Sequence, residues 1–448
     1  MAIRDLISCG VEPIEQVLMP FQVFFRSQST SGILLMLGAA AALVWANSPW
    51  AESYIALWQT PFTVGFGAAA LSKPVILWVN DGLMALFFFV VGLEIKREFL
   101  VGELSTRSHA VLPIAAAIGG MVVPASIFAL VNLGEPSISG WGIPMATDIA
   151  FALGILALLG DRVPYQIKIF LTAVAIVDDI GSILVIALFY TADISFVMLG
   201  AGAACLVLAF AGNRMGVRSP LFYALAGCLL WFFVLKSGVH STVAGVLMAF
   251  TIPSRTRCDA EAFSFNATRL LDDYRESVES GGSVLTNQHM HSVLLSMQHI
   301  VTRAQTPLQR LEHALHPLVD LVVMPIFALA NAGVVLSGGI APEAASAALG
   351  TALGLVLGKP VGIVLMVVLI VRFSEGYPRG VTLKHFIGAG MLGGIGFTMS
   401  LFIANLAFGN APELLTGAKT AVLGASLAAG VGGFLVLRTA PRQGPPDS

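Results

Sequence analysis

IKIFLTAVAIVDDIGSILVIALFYT, residues 167–191, decides how this chain is read. Asp178 and Asp179 stand near its middle, with Val-Ala-Ile-Val before them and Ile-Gly-Ser-Ile after. From Ile169 to Tyr190 no other residue is charged. A helix of that length, rising 1.5 Å per residue, crosses the ~30 Å hydrocarbon layer of a bilayer. Similar apolar runs recur along all 448 residues. Charged residues make up 11% of the chain, against about 25% in a soluble domain. Mean hydropathy is +0.85. Such a composition excludes a soluble multidomain protein and a disordered one. A net charge of −2 with no basic face argues against nucleic acid as a partner. A transmembrane β-barrel is a poor fit, because the runs are too long and do not alternate. An all-α polytopic membrane protein remains, with the lipid bilayer as its main surroundings.

Windows of 17–27 residues predict about twelve transmembrane helices. Their limits are 29–47, 74–95, 109–132, 142–159, 165–190, 194–212, 219–235, 238–252, 308–333, 344–371, 384–408 and 414–437. If the N-terminus is cytoplasmic, 20 of the 24 Lys and Arg fall inside and three, Lys73, Lys236 and Lys419, fall outside. Lys359 lies within a span. That asymmetry is what the positive-inside rule requires, so both termini are expected in the cytoplasm. The chain then divides into a cytoplasmic N-terminal segment (1–28), spans one to eight (29–252), a cytoplasmic loop insertion (253–307), spans nine to twelve (308–437) and a cytoplasmic tail (438–448). Val17, Leu18, Phe21, Phe24 and Phe25 fall near one face, so 11–27 is read as an interfacial helix. The insertion has too few apolar residues for its own core and is expected to hold short amphipathic helices. Cys9, Cys205, Cys228 and Cys258 show no metal-ligand spacing.

The informative residues are the charges inside apolar helices: Asp81, Asp148, Asp178, Asp179 and Lys359. Five such groups cost on the order of 12–17 kcal/mol on the insertion scale, comparable to the stability of a whole domain. They persist where they pair or where they line an ion path. Successive carboxylates on a helix lie about 100° apart in azimuth, so Asp178 and Asp179 can share one cavity without touching. At ~6 Å and an effective dielectric near 20 they repel by about 3 kcal/mol. Protons or a cation relieve that repulsion, but not both fully, and this competition is the minimum an antiporter needs.

Two helices carry breaking residues. Pro144 precedes Thr147 and Asp148 in span four, and Gly388, Gly390, Gly393, Gly394 and Gly396 precede Thr398 and Ser400 in span eleven. Span four is the middle of three to five and span eleven the middle of ten to twelve. Seven spans separate them, so the two triplets have inverted topology. Broken segments at matching positions of inverted halves point to a transporter's binding site. Where two broken helices cross antiparallel, like half-helix ends meet. Asp148 and Lys359 are the candidates to compensate the two pairs of ends.

With these residues in place, the chain resembles the NhaA family of bacterial Na⁺/H⁺ antiporters. The matching stretches are LWVNDGLMALFFFVVGLEIKRE (78–99), IPMATDIAFALGILALLGDRVP (143–164) and IKIFLTAVAIVDDIGSILVIALFYT (167–191), with VLKSGVHSTVAG (234–245), RLEHALHP (310–317), ALANAGV (328–334), LGKPVGI (357–363) and GIGFTMSLFIANLAFG (394–409). That family is itself an established instance of inverted repeats with broken helices, so this architecture comes with the resemblance. The resemblance implies an electrogenic exchanger in the bacterial inner membrane. It exports Na⁺ or Li⁺ for periplasmic H⁺, serves sodium and pH homeostasis, and is regulated by pH. It makes Asp179 the principal Na⁺ ligand and proton carrier. Asp178 is its partner, paired with Lys359 in the proton-loaded, inward-facing state. Thr147 and Asp148 assist at the helix crossing, and Asp81 is an auxiliary acid in span two. Glu94, Glu98, Glu312, His313 and His316 match a pH-responsive cluster at the cytoplasmic funnel, and His240 matches a residue tied to pH dependence. Residues 60–74 sit where the family has an outer β-hairpin supporting a homodimer. No cofactor is called for, and a secondary transporter rather than an enzyme is expected. The long loop after span eight and the extra acid Asp320, one turn from His316, depart from the family pattern.

Two other classes were weighed on the residues. A sodium-coupled organic-anion symporter on a similar scaffold needs an anion clamp that the sequence does not supply. An intramembrane aspartyl protease needs two acids on different helices flanking a peptide bond, which adjacent Asp178 and Asp179 cannot do.

Overall fold

The computed structural model describes residues 28–65, 71–191, 194–256, 259–279, 287–335, 339–373 and 380–441. The expected interfacial helix at 11–27 lies outside these residues, as do Cys9, Cys258 and all of the tail beyond 441. Helix α1 (Gln28–Ala46) meets α2 (Ala51–Gln59) at a 115° bend. Strands β1 (Pro61–Val64) and β2 (Leu71–Pro74) pair antiparallel, Phe62 opposite Lys73, within the strip expected to form a hairpin. Then come α3 (Val75–Val101), α4 (Arg107–Val131), α5 (Ile149–Leu159), α6 (Tyr165–Phe189) and α7 (Phe196–Arg214). Helices α8 (Pro220–Lys236) and α9 (Thr242–Thr251) precede α10 (Ala260–Glu279) and α11 (Gln288–Ala304). The last are α12 (Pro307–Asn331), α13 (Pro342–Arg372), α14 (Leu383–Gly393), α15 (Phe397–Phe408) and α16 (Pro412–Arg438).

Among the described residues eight helices are long and apolar enough to cross a membrane, or up to ten if each of two bent pairs counts as one span. Helices α8 and α9 occupy the expected seventh and eighth spans but are shorter. The expected count of twelve therefore rests on those two crossing as well. The insertion carries α10 and α11, helices of 20 and 17 residues, longer than the short ones expected.

Local chemistry explains the boundaries that place the site. Pro164 stands just before α6, and Tyr190 closes it while donating from Oη to the Ser139 carbonyl at 2.8 Å. Helix α12 opens on a capping box, with Pro307 at its first position and Gln309 N–H donating to Thr306 Oγ1 at 3.1 Å. The fourth apolar segment is broken as the sequence predicts. Short 3₁₀ turns at Pro136–Gly140 and Ile143–Met145 give way to extended backbone at Ala146, and α5 restarts after Asp148. The eleventh is broken between α14 and α15, with a 43° bend. A side chain at Gly394 would collide with the Leu355 carbonyl, so the break runs against a neighbouring helix backbone. Helices α4 and α13 cross just as closely, since a Cβ at Gly119 would strike Gly362 and the reverse. Three turns of π-helix interrupt the long helices: Trp78–Leu83 in α3, Val319–Val323 in α12 and Gly354–Gly358 in α13. Asp81 and Asp320 lie within two of them, and Lys359 follows the third. Such bulges redirect side chains and are frequent at functional sites.

Candidate functional site

The two breaks meet, and four of the sequence-selected residues sit at the meeting point. The Asp148 N–H donates to the Ile395 carbonyl at 2.6 Å, which joins the fourth segment to the eleventh. Asp148 is also the N-cap of α5, its Oδ1 accepting the Phe151 N–H at 3.0 Å. Its Oδ2 accepts from Thr398 N–H at 3.1 Å and from Thr398 Oγ1 at 2.6 Å, in the first turn of α15. One carboxylate thus serves two helix N-termini, the partly positive ends. Ser400 Oγ adds a bond to the Ile143 carbonyl at 2.7 Å.

The carbonyl ends face a different set. Lys359 Nζ donates to the Met145 carbonyl, at the end of the Ile143–Met145 turn, and lies 2.8 Å from Asp178 Oδ2. Thr147 Oγ1 lies 2.6 Å from that same Asp178 oxygen and 3.0 Å from the carbonyl of Gly393, the last residue of α14. Lys359 and Asp178 are fully buried. A buried ion pair of this kind holds only when its remaining lone pairs and protons are also met.

Asp178 and Asp179 differ, although their helical offset allows them to share one cavity. A cavity of about 1130 Å³ reaches Asp179, Asp148, Thr147 and Thr398 and is also lined by Glu94, Arg97, Glu312, His313, His316 and Asp320. Asp178 is not part of its wall, because the helical twist turns it toward α13 and Lys359. Asp179 Oδ1, Asp178 Oδ1 and Ser182 Oγ are buried without a hydrogen-bond partner. Buried carboxylate oxygens are normally paired or bound to a cation. Asp179, Asp148, Thr147 and Thr398 line the cavity with oxygen atoms, the ligand type that hard cations prefer.

At the open end of the cavity Arg97 lies 2.8 Å from Glu312 and 3.2 Å from Glu98. His316 Nε2 is 2.5 Å from Glu94 Oε1, and its Nδ1 is 3.4 Å from Asp320 Oδ2. Asp320, for which the sequence offers the funnel wall or a pair with His316, lines the cavity and lies beside His316. Glu98 is not in the cavity wall; its Oε2 accepts the Glu103 N–H at 3.1 Å where α3 ends. The remaining two candidates lie elsewhere. Asp81 Oδ2 is 2.8 Å from Lys73 of β2, and Asp81 Oδ1 is 3.9 Å from His240 Nε2. His240 also lies 2.8 Å from Thr242 Oγ1 and edge-on to Phe402. The structure does not bring Asp81 and His240 to the acid pair or to the Glu94–His316 group.

Sequence reading passed over several partners. In the sequence Thr398 stands out only as a residue that follows a glycine run. Lys73 was counted only as a loop charge. Asn331 Nδ2 donates to Asn80 Oδ1 at 2.9 Å, and Asn405 Nδ2 donates to Asn331 Oδ1 at 2.8 Å, linking α3, α12 and α15. Buried amides in apolar helices were the signal available for that triad.

Comparison with known proteins gives consistent results. The sequence profile of the family described as Na+/H+ antiporter 1 matches residues 22–437. A protein named Na(+)/H(+) antiporter NhaA from Oleidesulfovibrio alaskensis is 51% identical over 446 residues, covering 99% of both chains. Na(+)/H(+) antiporter NhaA 1 of Saccharophagus degradans is 48% identical over 427 residues, 94% of this chain and 92% of that one. Among solved structures, the sodium proton antiporter MjNhaP1 from Methanocaldococcus jannaschii superposes with a TM-score of 0.50 at 12% identity over 92% of each chain, a likeness of fold.

Proposed function

This chain belongs to the Na+/H+ antiporter 1 family, and from that premise we propose that Asp179 is the group on which Na⁺ and H⁺ exchange. The chain is a multi-pass membrane transporter and a Na⁺/H⁺ antiporter. The observation that carries the residue assignment is the buried, unpartnered Asp179 Oδ1 on a helix whose next-door acid is already held by Lys359.

Na⁺ enters through the cavity past Glu94 and Glu312 and reaches Asp179. Asp179, Ser182, Thr147 and the free oxygen of Asp178 replace its hydration shell. A carboxylate that holds Na⁺ cannot also hold a proton, so loading the cation expels a proton toward the cavity. Drawing Asp178 toward the cation loosens its pair with Lys359, and a second proton leaves from that pair. More protons then move inward than sodium ions outward, and transport is electrogenic. Asp148 and Thr398 hold the crossing together while the carrier alternates, and Asp81 remains an auxiliary acid on another part of α3. Li⁺ as a second cargo, control by pH, a homodimer and an inner-membrane location with both termini inside belong to the same proposal and rest on the resemblance.

The sodium-coupled organic-anion symporter shares the prediction of a roomy cavity. The named relatives are antiporters, and no comparison supports the symporter. In everted vesicles energised by respiration, adding NaCl should collapse the pH gradient, and Asp179→Asn should abolish the response. A wild-type protein silent to Na⁺ from about pH 6.5 to 9 would overturn the antiport assignment.

A further inference from the structure

We propose that Glu94, Glu312 and His316 form a binding site for a divalent transition metal of the zinc class at the open end of the cavity. Their ligand atoms lie within 4.8 Å of one another, the one such convergence of His, Cys, Asp and Glu among the described residues. Glu312 and His316 are four residues apart on α12 and so share one face, while Glu94 comes from α3 opposite. Zinc bonds of about 2.0–2.2 Å to oxygen and nitrogen place tetrahedral ligand atoms about 3.3 Å apart. The ligand atoms bracket this spacing: all lie within 4.8 Å of one another, and His316 Nε2 and Glu94 Oε1, now 2.5 Å apart, would open to admit the ion in place of the proton between them.

A second feature, outside the three ligands, supports the assignment. Asp320 presents Oδ2 to the opposite ring nitrogen, Nδ1, at 3.4 Å. A carboxylate on the far nitrogen is the arrangement that orients metal-bound histidines, because it fixes the tautomer and directs the Nε2 lone pair at the ion. Asp320 lies in the π turn Val319–Val323, one helical turn from His316. Arg97 and His313 do not block the site. Arg97, now on Glu312, has Glu98 as a second partner at 3.2 Å and keeps that pair when the metal takes Glu312. His313 lines the same cavity and is left as a bystander.

The donor set separates this ion from the transported one. An imidazole nitrogen beside two carboxylates suits zinc or cobalt, whereas Na⁺ favours oxygen alone. Access is open: the His316 side chain is 42% exposed, while Asp179, on the same cavity, is 1% exposed. Three protein ligands leave a fourth position for water. A metal there ties α3 to α12 across the entrance that Na⁺ uses, so it inhibits exchange from outside the exchange site.

The test is zinc binding to the purified, chelator-washed full chain, measured by titration calorimetry in NaCl buffer. It reads metal binding directly and stands whether or not the ion exchange at Asp179 is correct. One Zn²⁺ per chain is expected. His316→Gln and Glu312→Gln should each abolish stoichiometric binding. Asp320→Asn should weaken it about 10–100-fold. Replacing His289, His291 and His299 of α11 by Gln should leave affinity unchanged. The unsubstituted protein loaded with CoCl₂ gives a readout independent of variant folding, and the intense visible bands of a tetrahedral-type site are expected. No saturable binding of Zn²⁺ or Co²⁺, undiminished binding in both His316→Gln and Glu312→Gln, or loss of binding in the α11 variant would overturn the proposal.

Discussion

Two lysine–aspartate pairs in this molecule have the same separation and opposite settings. Lys359 and Asp178 lie 2.8 Å apart with side chains 0% exposed, locked between α13 and α6. Lys73 and Asp81 also lie 2.8 Å apart, but with side chains 28% and 16% exposed, where β2 leads into α3. Distance alone would score them alike. What differs is the solvent each charge gave up. The inner pair depends on its partner and on the hydrogen bonds of Met145 and Thr147, because both side chains are shut off from bulk solvent. The outer pair can fall back on solvent.

The comparison is broken or sharpened by substitutions of graded effect. Lys359→Ala should be the most damaging, lowering the unfolding free energy by about 3–5 kcal/mol because it leaves Asp178 buried and unpaired. Adding Asp178→Asn to that variant should recover much of the loss. Denaturant unfolding in micelles measures both, and a loss below about 1 kcal/mol would show the inner pair to be as solvated as the outer one. Asp148→Ala should come next, at about 2–3 kcal/mol, since it removes a helix cap and strands the Thr398 donors. The same unfolding curves check this. Lys73→Ala should cost less than about 1 kcal/mol, and the cost should shrink when salt is raised, because partly exposed pairs are screened. An undiminished cost in high salt would remove the contrast between the pairs. Asp179→Asn should leave the protein at least as stable, since it removes a buried charge beside Asp178 and Oδ1 has no partner to lose, while it abolishes Na⁺-driven proton movement.

The sequence made some of this legible and hid the rest for physical reasons. Asp178-Asp179 stood out because charge is costly in an apolar helix, and the breaks at Pro144 and the Gly388–Gly396 run stood out because both residue types interrupt hydrogen-bond ladders. Their inverted positions made Asp148 and Lys359 the candidates for the two pairs of half-helix ends, and Asp148 caps the N-terminal ends while Lys359 meets a carbonyl end. The division of roles between Asp178 and Asp179 was legible only through the family resemblance, not from helix geometry. A 100° offset says that they face different ways, but not which of them meets Lys359. Thr398, Asn80, Asn331 and Asn405 were passed over because neutral polar residues are cheap enough in membrane helices to occur without a role. The pairing of Lys73 with Asp81 needed the hairpin to fold back onto α3, a contact that hydropathy cannot foresee.

The carboxylate of Asp148 has a mechanical consequence. One oxygen fastens α5 and the other fastens α15, and the backbone N–H of the same residue is tied to Ile395. Pulling either half-helix away alone would strand buried donors at about 1–3 kcal/mol each. The two broken helices are therefore fastened to each other through this one residue, and separating them costs both sets of bonds together.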